Sequence, residues 1–594
     1  MNRKNIPLIF SACFLVVSTA VILVSFGNYF DISDEGLAAY LSLFGEQAIW
    51  PQQFHYITHA WGDFFGHSLL VYRLLYFVMV FLECFVFTFT VYVYYNISSH
   101  KDKLLFFLNL FFCSVAVQFI FAVFTTPSYD SYAAFGAFLW ASMFLLVLTD
   151  CGNIIKNLAI SLLASASILI ALMAKPATGL AFVLGILFLL PCFRYFLSMK
   201  IFNDSVWSAY LGLVIGAGLF ILVLGDDAAR VAEIYGSLGG GDVYSLPKLL
   251  ARHIRDIFLF TLYAGCYLVL WFFLFRLLKR GTVFGKLFFS LLFAALLVFT
   301  FGHIRPLPTA FYHFDVLGLP ISKLLPSTID TPKAKMITYM VSLGLAVLLF
   351  GSGITKRLTY NQRKDVLFFL VIFFAALAAY AGTAANLNWH MHSVAGLVAA
   401  LPAVFYLLRL SHSECEIKAF AFPLLAFVVL GLSHQYNNVL AHYYRCPPLG
   451  AQNSVSKSSQ FLKNVNIDSD RAEMIDHISK ALDKVEFNRS QDSLYVYPAA
   501  PGLLAAVNAK AFGSLWSTTK LIDFDCYSFS AEKKRPDANV YILRGGDVPP
   551  KTKTCFLERL KPANNYKLVP LGDYFNFRQG EVLRYYLEGP YIFF

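Results

Sequence analysis

The sequence predicts a polytopic α-helical membrane protein with a small extramembrane α/β domain at its C-terminal end, and three observations carry that prediction. Of 594 residues, 58% are hydrophobic and only 14% charged, with a mean hydropathy of +0.61, which is too little polar surface for a water-soluble fold. Uncharged apolar runs of about 18–25 residues, the length that crosses roughly 30 Å of hydrocarbon, recur from Ile6 to Ser433. After Arg445 the composition turns toward Lys, Asp, Ser and Asn.

Within a bilayer only helices satisfy the backbone without closing a barrel. The length rule gives about 13 spans, starting near Ile6, Leu69, Leu104, Tyr129, Asn157, Ala177, Val206, Ile257, Lys286, Met336, Asp365, Met391 and Ile417. The first run is too long for the apolar core of a cleaved signal. Arg3 and Lys4, Lys101 and Lys103, Lys156, Arg194 and Lys200, the stretch from Arg276 to Lys286, and Lys356 to Lys364 fall in alternate loops, which marks those loops as cytoplasmic. The loop holding Asp34 then faces outward, and an odd span count puts the tail outside as well. The expected division is a membrane catalytic region over residues 1–444, with surface helices in 28–68, and an extracytoplasmic α/β domain over 445–594. A net charge of +11 fits the inside bias and calls for no nucleic acid.

Chemical variety concentrates in the outward loops. In the first, DISDEGLAAYLSLFGEQAIW reads as a helix with Leu37, Tyr40, Leu41 and Phe44 on one face, and PQQFHYITHAWGDFFGH reads as a second. Both are expected to lie along the membrane surface. TTPSYDSY around Asp130 is the second loop, KPATG around Lys175 the third, and Gly225 to Asp256 the fourth, with GSLGGGDVY as a linker or lid and PKLLARHIRD as a basic segment. Its glycines lack the Lys-Ser/Thr ending of a phosphate loop. His303 to Lys335 and NLNWHMH complete the set, and the loops are expected to converge on one side. In the tail, DRAEMIDHISKALDKVEF reads as an amphipathic helix, SLYVYPA and NVYILRG as strands, and the last segment as a closing strand pair. Cys446, Cys526 and Cys555 lie outside, where one disulfide can form and one thiol is left over, the pairing being open.

Asp34-Glu35 in the first outward loop, Arg73 at the start of the second span, and Asp130 in the second outward loop resemble the pattern of the GT-C superfamily of membrane glycosyltransferases, in its protein O-mannosyltransferase and lipid A aminoarabinose transferase branch. The layout is similar too: a cytoplasmic start, one span, a long loop with two helices, about a dozen further spans and an outer C-terminal domain. Relatives often carry a Lys-Pro-Pro segment in the first loop; here QFHYITHAW stands there and offers no lysine to a donor phosphate. The resemblance implies transfer of a sugar from a polyprenyl-phosphate carrier to an acceptor hydroxyl on a glycolipid, polysaccharide or protein, with inversion, at the outer face of the membrane; the lack of eukaryotic targeting signals makes a bacterial inner membrane the expected location. Asp34 would be the general base, and Asp130 a second catalytic carboxylate or acceptor-site group. Asp31, Glu35, His55, Tyr56, Arg73, Lys175, Arg305 and His390 would bind substrate, with Lys175, Arg73 and Arg305 as cations for the phosphate.

Each residue also has a plainer role open to it. Asp31 can cap the helix that Asp34 begins, Glu35 points about 100° from Asp34 on that helix, Asp130 can cap the fourth span, and Lys175 and Arg73 can snorkel. No cofactor is certain. A divalent cation is compatible with the resemblance, and His390 with His392, or His55 with His59, offers ligands without diagnostic spacing. A transporter, in which the intramembrane Glu83 and outer histidines line a pathway, and a non-catalytic polysaccharide-assembly subunit stay open as alternatives.

Overall fold

The structure, a computed structural model, describes residues 6–45, 50, 52–96, 100–122, 125–149, 153–225, 231, 233–234, 236, 246–280, 282, 284–285, 288, 291, 315–316, 319–320, 332–346, 348–349, 358–381, 391–409, 427–436, 439–440, 445–518, 521–535, 537–576 and 581–593. The chain begins with α1 (Ile6–Phe26), two short helices α2 (Asp34–Phe44) and α3 (His55–Phe65), and then long apolar helices α4 (Leu69–Tyr95), α5 (His100–Phe121), α6 (Tyr129–Val147) and α7 (Ile154–Ala174). α8 (Pro176–Leu184) runs through a π turn into α9 (Leu190–Phe196), followed by α10 (Asp204–Leu224), α11 (Leu246–Arg280), the minimal strand pair β1 (Asp315–Val316) and β2 (Leu319–Pro320), α12 (Pro332–Ala346), α13 (Tyr360–Tyr380) and α14 (Ala395–Arg409).

Small polar residues start these helices where the sequence turns from loop to apolar run. Ser68, Ser128, Asn153, Asn203 and Thr359 each accept a hydrogen bond from a first-turn backbone N–H of α4, α6, α7, α10 and α13, groups that have no partner inside the helix. Close packing is written into small residues as well. A Cβ at Gly212 or Gly216 of α10 would fall 2.3–2.5 Å from the Ser161 and Ser165 carbonyls of α7, so only glycine lets these two helices meet.

Eight helices among the described residues are long and apolar enough to cross a membrane, from Pro7–Phe26 to Pro247–Phe273, and they coincide with the first eight expected spans. Shorter apolar helices, Ile337–Ala346 and Ala395–Phe405, fall in the runs expected from Met336 and Met391. α13 occupies the run from Asp365, while those from Lys286 and Ile417 lie largely outside the described residues.

Two loops turn out smaller than expected. KPATG is not an open loop: Lys175 alone, extended at φ −146° and ψ 99°, separates α7 from α8, because the residue before proline avoids the helical region and Pro176 is preset for a first helical turn. PKLLARHIRD is the beginning of α11 rather than a separate basic segment, since Pro247 stands in the first turn, where its missing N–H costs nothing.

The tail folds as expected into helix and sheet. α15 (Ser469–Lys484), α16 (Pro501–Val507), α17 (Ile522–Ala531) and α18 (Pro550–Leu557) accompany β3 (Ser493–Tyr497), β4 (Lys510–Ala511), β5 (Val540–Gly545), β6 (Leu560–Asn576) and β7 (Glu581–Phe593). The sheet order is β4-β3-β5-β7-β6, with β3 parallel to β4 and β5, and β7 antiparallel to β5 and β6. Cys526 pairs with Cys555 and joins α17 to α18, leaving Cys446 as the free thiol.

This domain sits directly on the first loop. Leu37, Tyr40 and Leu41 of α2 are buried in one apolar core with Leu503, Leu504 and Val496, so the apolar face of α2 is covered by protein and not by lipid, which corrects the expectation of a surface-lying helix. Gly36 and Gly502 allow the contact, since a Cβ on Gly36 would lie 2.5 Å from the Gly502 Cα. Gly502 donates its N–H to the Ile32 carbonyl (2.9 Å), the Tyr40 hydroxyl accepts from Ala511 N (2.7 Å), and Tyr29 N donates to the Asn466 carbonyl (2.7 Å).

Candidate functional site

Four segments meet at one end of the helix bundle. Glu35 of α2 accepts a hydrogen bond from Thr126 Oγ1 at 2.7 Å, which ties the first loop to the TTPSYD turn that opens α6. Gln53 N donates to the Met173 carbonyl at 2.8 Å and the Phe54 and Tyr132 rings lie 5.5 Å apart, so the entry to α3 rests against the end of α7 and the start of α6. The Lys175 Nζ forms an ion pair with Asp130 Oδ1, lies 5.2 Å from the Tyr129 ring centroid, and reaches the Ala379 carbonyl at the end of α13 (3.3 Å). The loops around Asp34, Asp130 and Lys175 converge as expected.

The acidic cluster divides into buried carboxylates, Asp31 and Glu35, and a partly exposed one, Asp34. Asp31 is buried, and its Oδ2 accepts from the backbone N–H of Asp34 (2.7 Å) and Glu35 (3.2 Å) while Ser33 Oγ bridges both oxygens. Glu35 answers by accepting from Asp31 N at 3.2 Å, a reciprocal cap that supplies the first turn of α2. Asp31 therefore occupies the capping role. Glu35 is fully buried, as is its partner Arg73, whose Nε and Nη2 reach Glu35 Oε1 at 3.2 and 2.8 Å.

The rest of the Arg73 guanidinium is directed to the end of α1. Nη1 donates to the carbonyls of Ser25 (2.7 Å), Phe26 (2.8 Å) and Asn28 (3.0 Å), and Nη2 to that of Tyr29 (3.0 Å). A guanidinium has five N–H donors, and each nitrogen is engaged here. Arg73 thus faces the protein interior, and the donor phosphate expected beside it would have to displace Glu35 and the carbonyls at the end of α1.

Asp34 differs. Its carboxylate is 29% exposed and pairs with Arg445 Nη1 at 3.1 Å, and the same nitrogen also reaches Ser33 Oγ. Arg445 is in turn held by Arg471, which is buried in the tail: Arg471 donates to the Arg445 carbonyl (2.6 Å), the Phe30 carbonyl (2.8 Å) and Cys446 Sγ (2.8 Å), and pairs with Asp468 at 3.4 Å. The tail domain thereby places a cation on Asp34. Neither arginine was singled out in the sequence beyond marking where the tail begins. The sequence signal was the basic Arg445 at the point where the apolar runs give way to the tail.

His55 is buried, with Nδ1 at 3.3 Å from the Gln52 carbonyl, and burial pushes its imidazole down to about 4, so the ring is neutral. Tyr56 stacks on it, ring centroids 4.4 Å apart. Arg305 and His390 lie outside the described residues. At the other end of the bundle, basic residues collect: Lys364 caps the Tyr94 carbonyl (2.5 Å), Arg194 donates to the Lys200 carbonyl (2.8 Å), Arg363 to that of Phe196 (3.1 Å), and Lys156 to that of Thr149 (2.9 Å).

No protein-family model matches the chain, and no curated protein matches it in sequence. Among solved structures, it is similar to the crystal structure of ArnT from Cupriavidus metallidurans in the apo state, with 11% identity and a TM-score of 0.40 over 98% of this chain and 97% of that one. The same protein bound to undecaprenyl phosphate gives 12% identity and a TM-score of 0.38 over 97% and 98%. The oligosaccharyltransferase of Archaeoglobus fulgidus tethered with an acceptor peptide gives 11% and 0.43 over 90% of this chain and 69% of that one. Likenesses at this level assign neither substrate nor residue roles, which have to come from the site itself.

Proposed function

We propose that this chain is a membrane glycosyltransferase that moves a sugar from a polyprenyl-phosphate donor to an acceptor hydroxyl, at the bundle end where Asp34 lies. One observation carries the reading: of the clustered carboxylates in the first loop, Asp31 and Glu35 are buried in the framework, whereas Asp34 is partly exposed and held by Arg445 on a rigid, capped helix start. A group held this way can meet a substrate without moving the fold.

Asp34 takes the proton of the acceptor hydroxyl as its oxygen forms the bond to the sugar C1. The C1–O bond to the phosphate breaks on the opposite face, and the polyprenyl phosphate leaves with that electron pair, inverting C1. General-base assistance of this kind contributes about 10²–10⁴ in rate. The leaving group needs a cation and no proton, and Lys175, steadied by Asp130 and the Tyr129 ring, is the residue assigned to it. Arg445 orients the Asp34 carboxylate. Arg73 and Glu35 are framework residues that fix where α2 begins, and Asp130 serves by positioning Lys175.

A divalent cation between Asp34 and Asp130 fits poorly. Each carboxylate already lies against a basic side chain, so its charge is balanced without a metal, and no step is assigned to one. The outer face of a bacterial inner membrane is the setting that agrees with the Cys526–Cys555 disulfide, which forms where thiols oxidise, and with the basic residues gathered at the opposite end.

The test is transfer by the purified full-length chain in nanodiscs, supplied with a panel of polyprenyl-phosphate sugars carrying radiolabel in the sugar. The reading requires one polyprenyl phosphate released per sugar transferred. Solute movement across liposomes, with no release from any donor, would replace the enzyme by the transporter.

A further inference from the structure

The turn between α3 and α4 carries a second cluster that the transfer chemistry does not use. His59 and Asp63 lie one turn apart on α3, and His67 follows the helix end after Gly66. Asp63 Oδ1 lies 3.7 Å from His59 Nε2 and 3.1 Å from His67 Nε2, the two rings are 4.9 Å apart, and one ligand atom from each residue falls within 4.8 Å of the others.

Groups behind the rings hold the two Nδ1 atoms and turn the Nε2 atoms toward Asp63. The Ser42 carbonyl, in the last turn of α2, can only accept, so His59 Nδ1, at 2.9 Å, must donate to it. The Tyr72 hydroxyl lies 3.2 Å from the same carbonyl and 2.8 Å from His67 Nδ1, so when its proton goes to the carbonyl it accepts from His67 Nδ1. A neutral imidazole has one N–H. With both N–H groups on Nδ1, two Nε2 lone pairs and a carboxylate oxygen face one another, the donor set that a metal ion takes.

We propose that His59, Asp63 and His67 form a binding site for one first-row divalent metal ion, with zinc the best match to two imidazoles and a carboxylate. Ligands about 2.0–2.1 Å from a tetrahedral zinc stand about 3.3 Å from each other; the two distances to Asp63, 3.1 and 3.7 Å, bracket that value, and the two histidines, all ligand atoms lying within 4.8 Å, close on the ion by side-chain rotation. Ring N–H groups donated to a carbonyl and a hydroxyl are the supports that metal-ligating histidines use to fix tautomer and orientation. Three protein ligands leave a position for water. Because the supports come from Ser42 of α2 and Tyr72 of α4, the ion ties α2, α3 and the start of α4 into one unit. Tyr72 precedes Arg73, so the same unit holds the Glu35–Arg73 pair. The site is independent of the glycosyltransferase reading and stands or falls without it.

The experiment uses the full-length chain in detergent, stripped with a chelator, desalted and titrated with zinc chloride by calorimetry, with the thermal midpoint and zinc X-ray absorption read on the same material. The wild type takes up one zinc per chain that the variants lack, its midpoint rises, and the absorption spectrum shows imidazole and oxygen ligands. Asp63→Asn, at an exposed side chain that leaves the fold alone, weakens binding at least tenfold; His59→Ala with His67→Ala abolishes it; Tyr72→Phe weakens it about tenfold through the lost support. No uptake by the wild type, equal uptake by the double histidine variant, or sulfur among the ligands overturns the proposal.

Discussion

Replacing Arg73 with leucine separates a framework role from a substrate role more cleanly than any other change in the site. Arg73 and Glu35 are both fully buried, and the guanidinium serves Glu35 Oε1 together with the carbonyls of Ser25, Phe26, Asn28 and Tyr29. Leucine fills much of the space but leaves a buried carboxylate whose described partners are then Thr126 Oγ1 and Asp31 N. Breaking a buried pair from one side costs about 3–5 kcal/mol, and a buried carbonyl that loses its donor adds about 1–3 kcal/mol, although the Ser25 carbonyl keeps the Asn28 N–H at 3.3 Å. The sum is on the order of the whole stability of an ordinary domain, about 5–15 kcal/mol. Arg73→Leu should therefore aggregate or melt far below the wild type when followed by size-exclusion chromatography after heating in detergent. Adding Glu35→Gln removes the uncompensated charge, and Arg73→Leu/Glu35→Gln should melt above Arg73→Leu alone. An Arg73→Leu variant that melts like wild type but uses the lipid donor poorly would refute the framework assignment and return the guanidinium to the phosphate.

Lys175→Ala should lower transfer about ten- to a hundred-fold by removing a charge-assisted contact worth about 1.5–3 kcal/mol, with turnover falling along with donor affinity because the contact strengthens as the phosphate leaves; unchanged kinetics in a folded variant would remove Lys175 from the site. Gly502→Ala puts a Cβ 2.7 Å from the Ile32 Cα and 3.0 Å from the Gly36 Cα, backbone on both sides, so the tail domain should loosen and limited proteolysis should release it faster, whereas a wild-type digestion pattern would contradict that docking geometry. Asp525 is held up to about 7 by burial, above its ordinary value of 3.8, so the folded protein keeps a proton there that the unfolded chain releases. Stability from this group is therefore greatest below about pH 4 and is lost as pH rises toward 7, by roughly 2–4 kcal/mol, and Asp525→Asn should flatten the melting-temperature profile across that window. A profile identical to wild type would show that Asp525 does not titrate there.

The apolar runs made the bundle legible because a bilayer imposes one length on every crossing helix, and the start residues Leu69, Tyr129 and Val206 fall within two residues of where α4, α6 and α10 begin. The helix in the tail and its strands were equally plain from their 3.6- and 2-residue periods. The partner of the apolar face on α2 was not legible, since a face of Leu37, Tyr40 and Leu41 looks the same whether lipid or Leu503 and Leu504 cover it. The site divides along similar lines. Capping by Asp31 follows from local spacing, whereas the Arg73–Glu35, Asp34–Arg445 and Lys175–Asp130 pairs join residues 38, 411 and 45 positions apart, and no periodicity reports contacts of that range. Arg73 and Lys175 looked alike as basic residues at span ends. Both are buried, and only their partners distinguish them: Glu35 and four carbonyls at the end of α1 for Arg73, and Asp130, the Tyr129 ring and the Ala379 carbonyl for Lys175.

The central claim is that Asp34 is the base of a sugar transfer, and the direct measurement is the transfer rate of Asp34→Asn beside wild type, in nanodiscs, with the thermal midpoint read on the same samples. Asparagine keeps the size of the side chain but cannot take the acceptor's proton, and the pair it gives up with Arg445 is partly exposed and worth about 0–1 kcal/mol. The account predicts a midpoint close to wild type with transfer lowered by about 10²-fold or more. A folded Asp34→Asn variant that transfers sugar at the wild-type rate would contradict it.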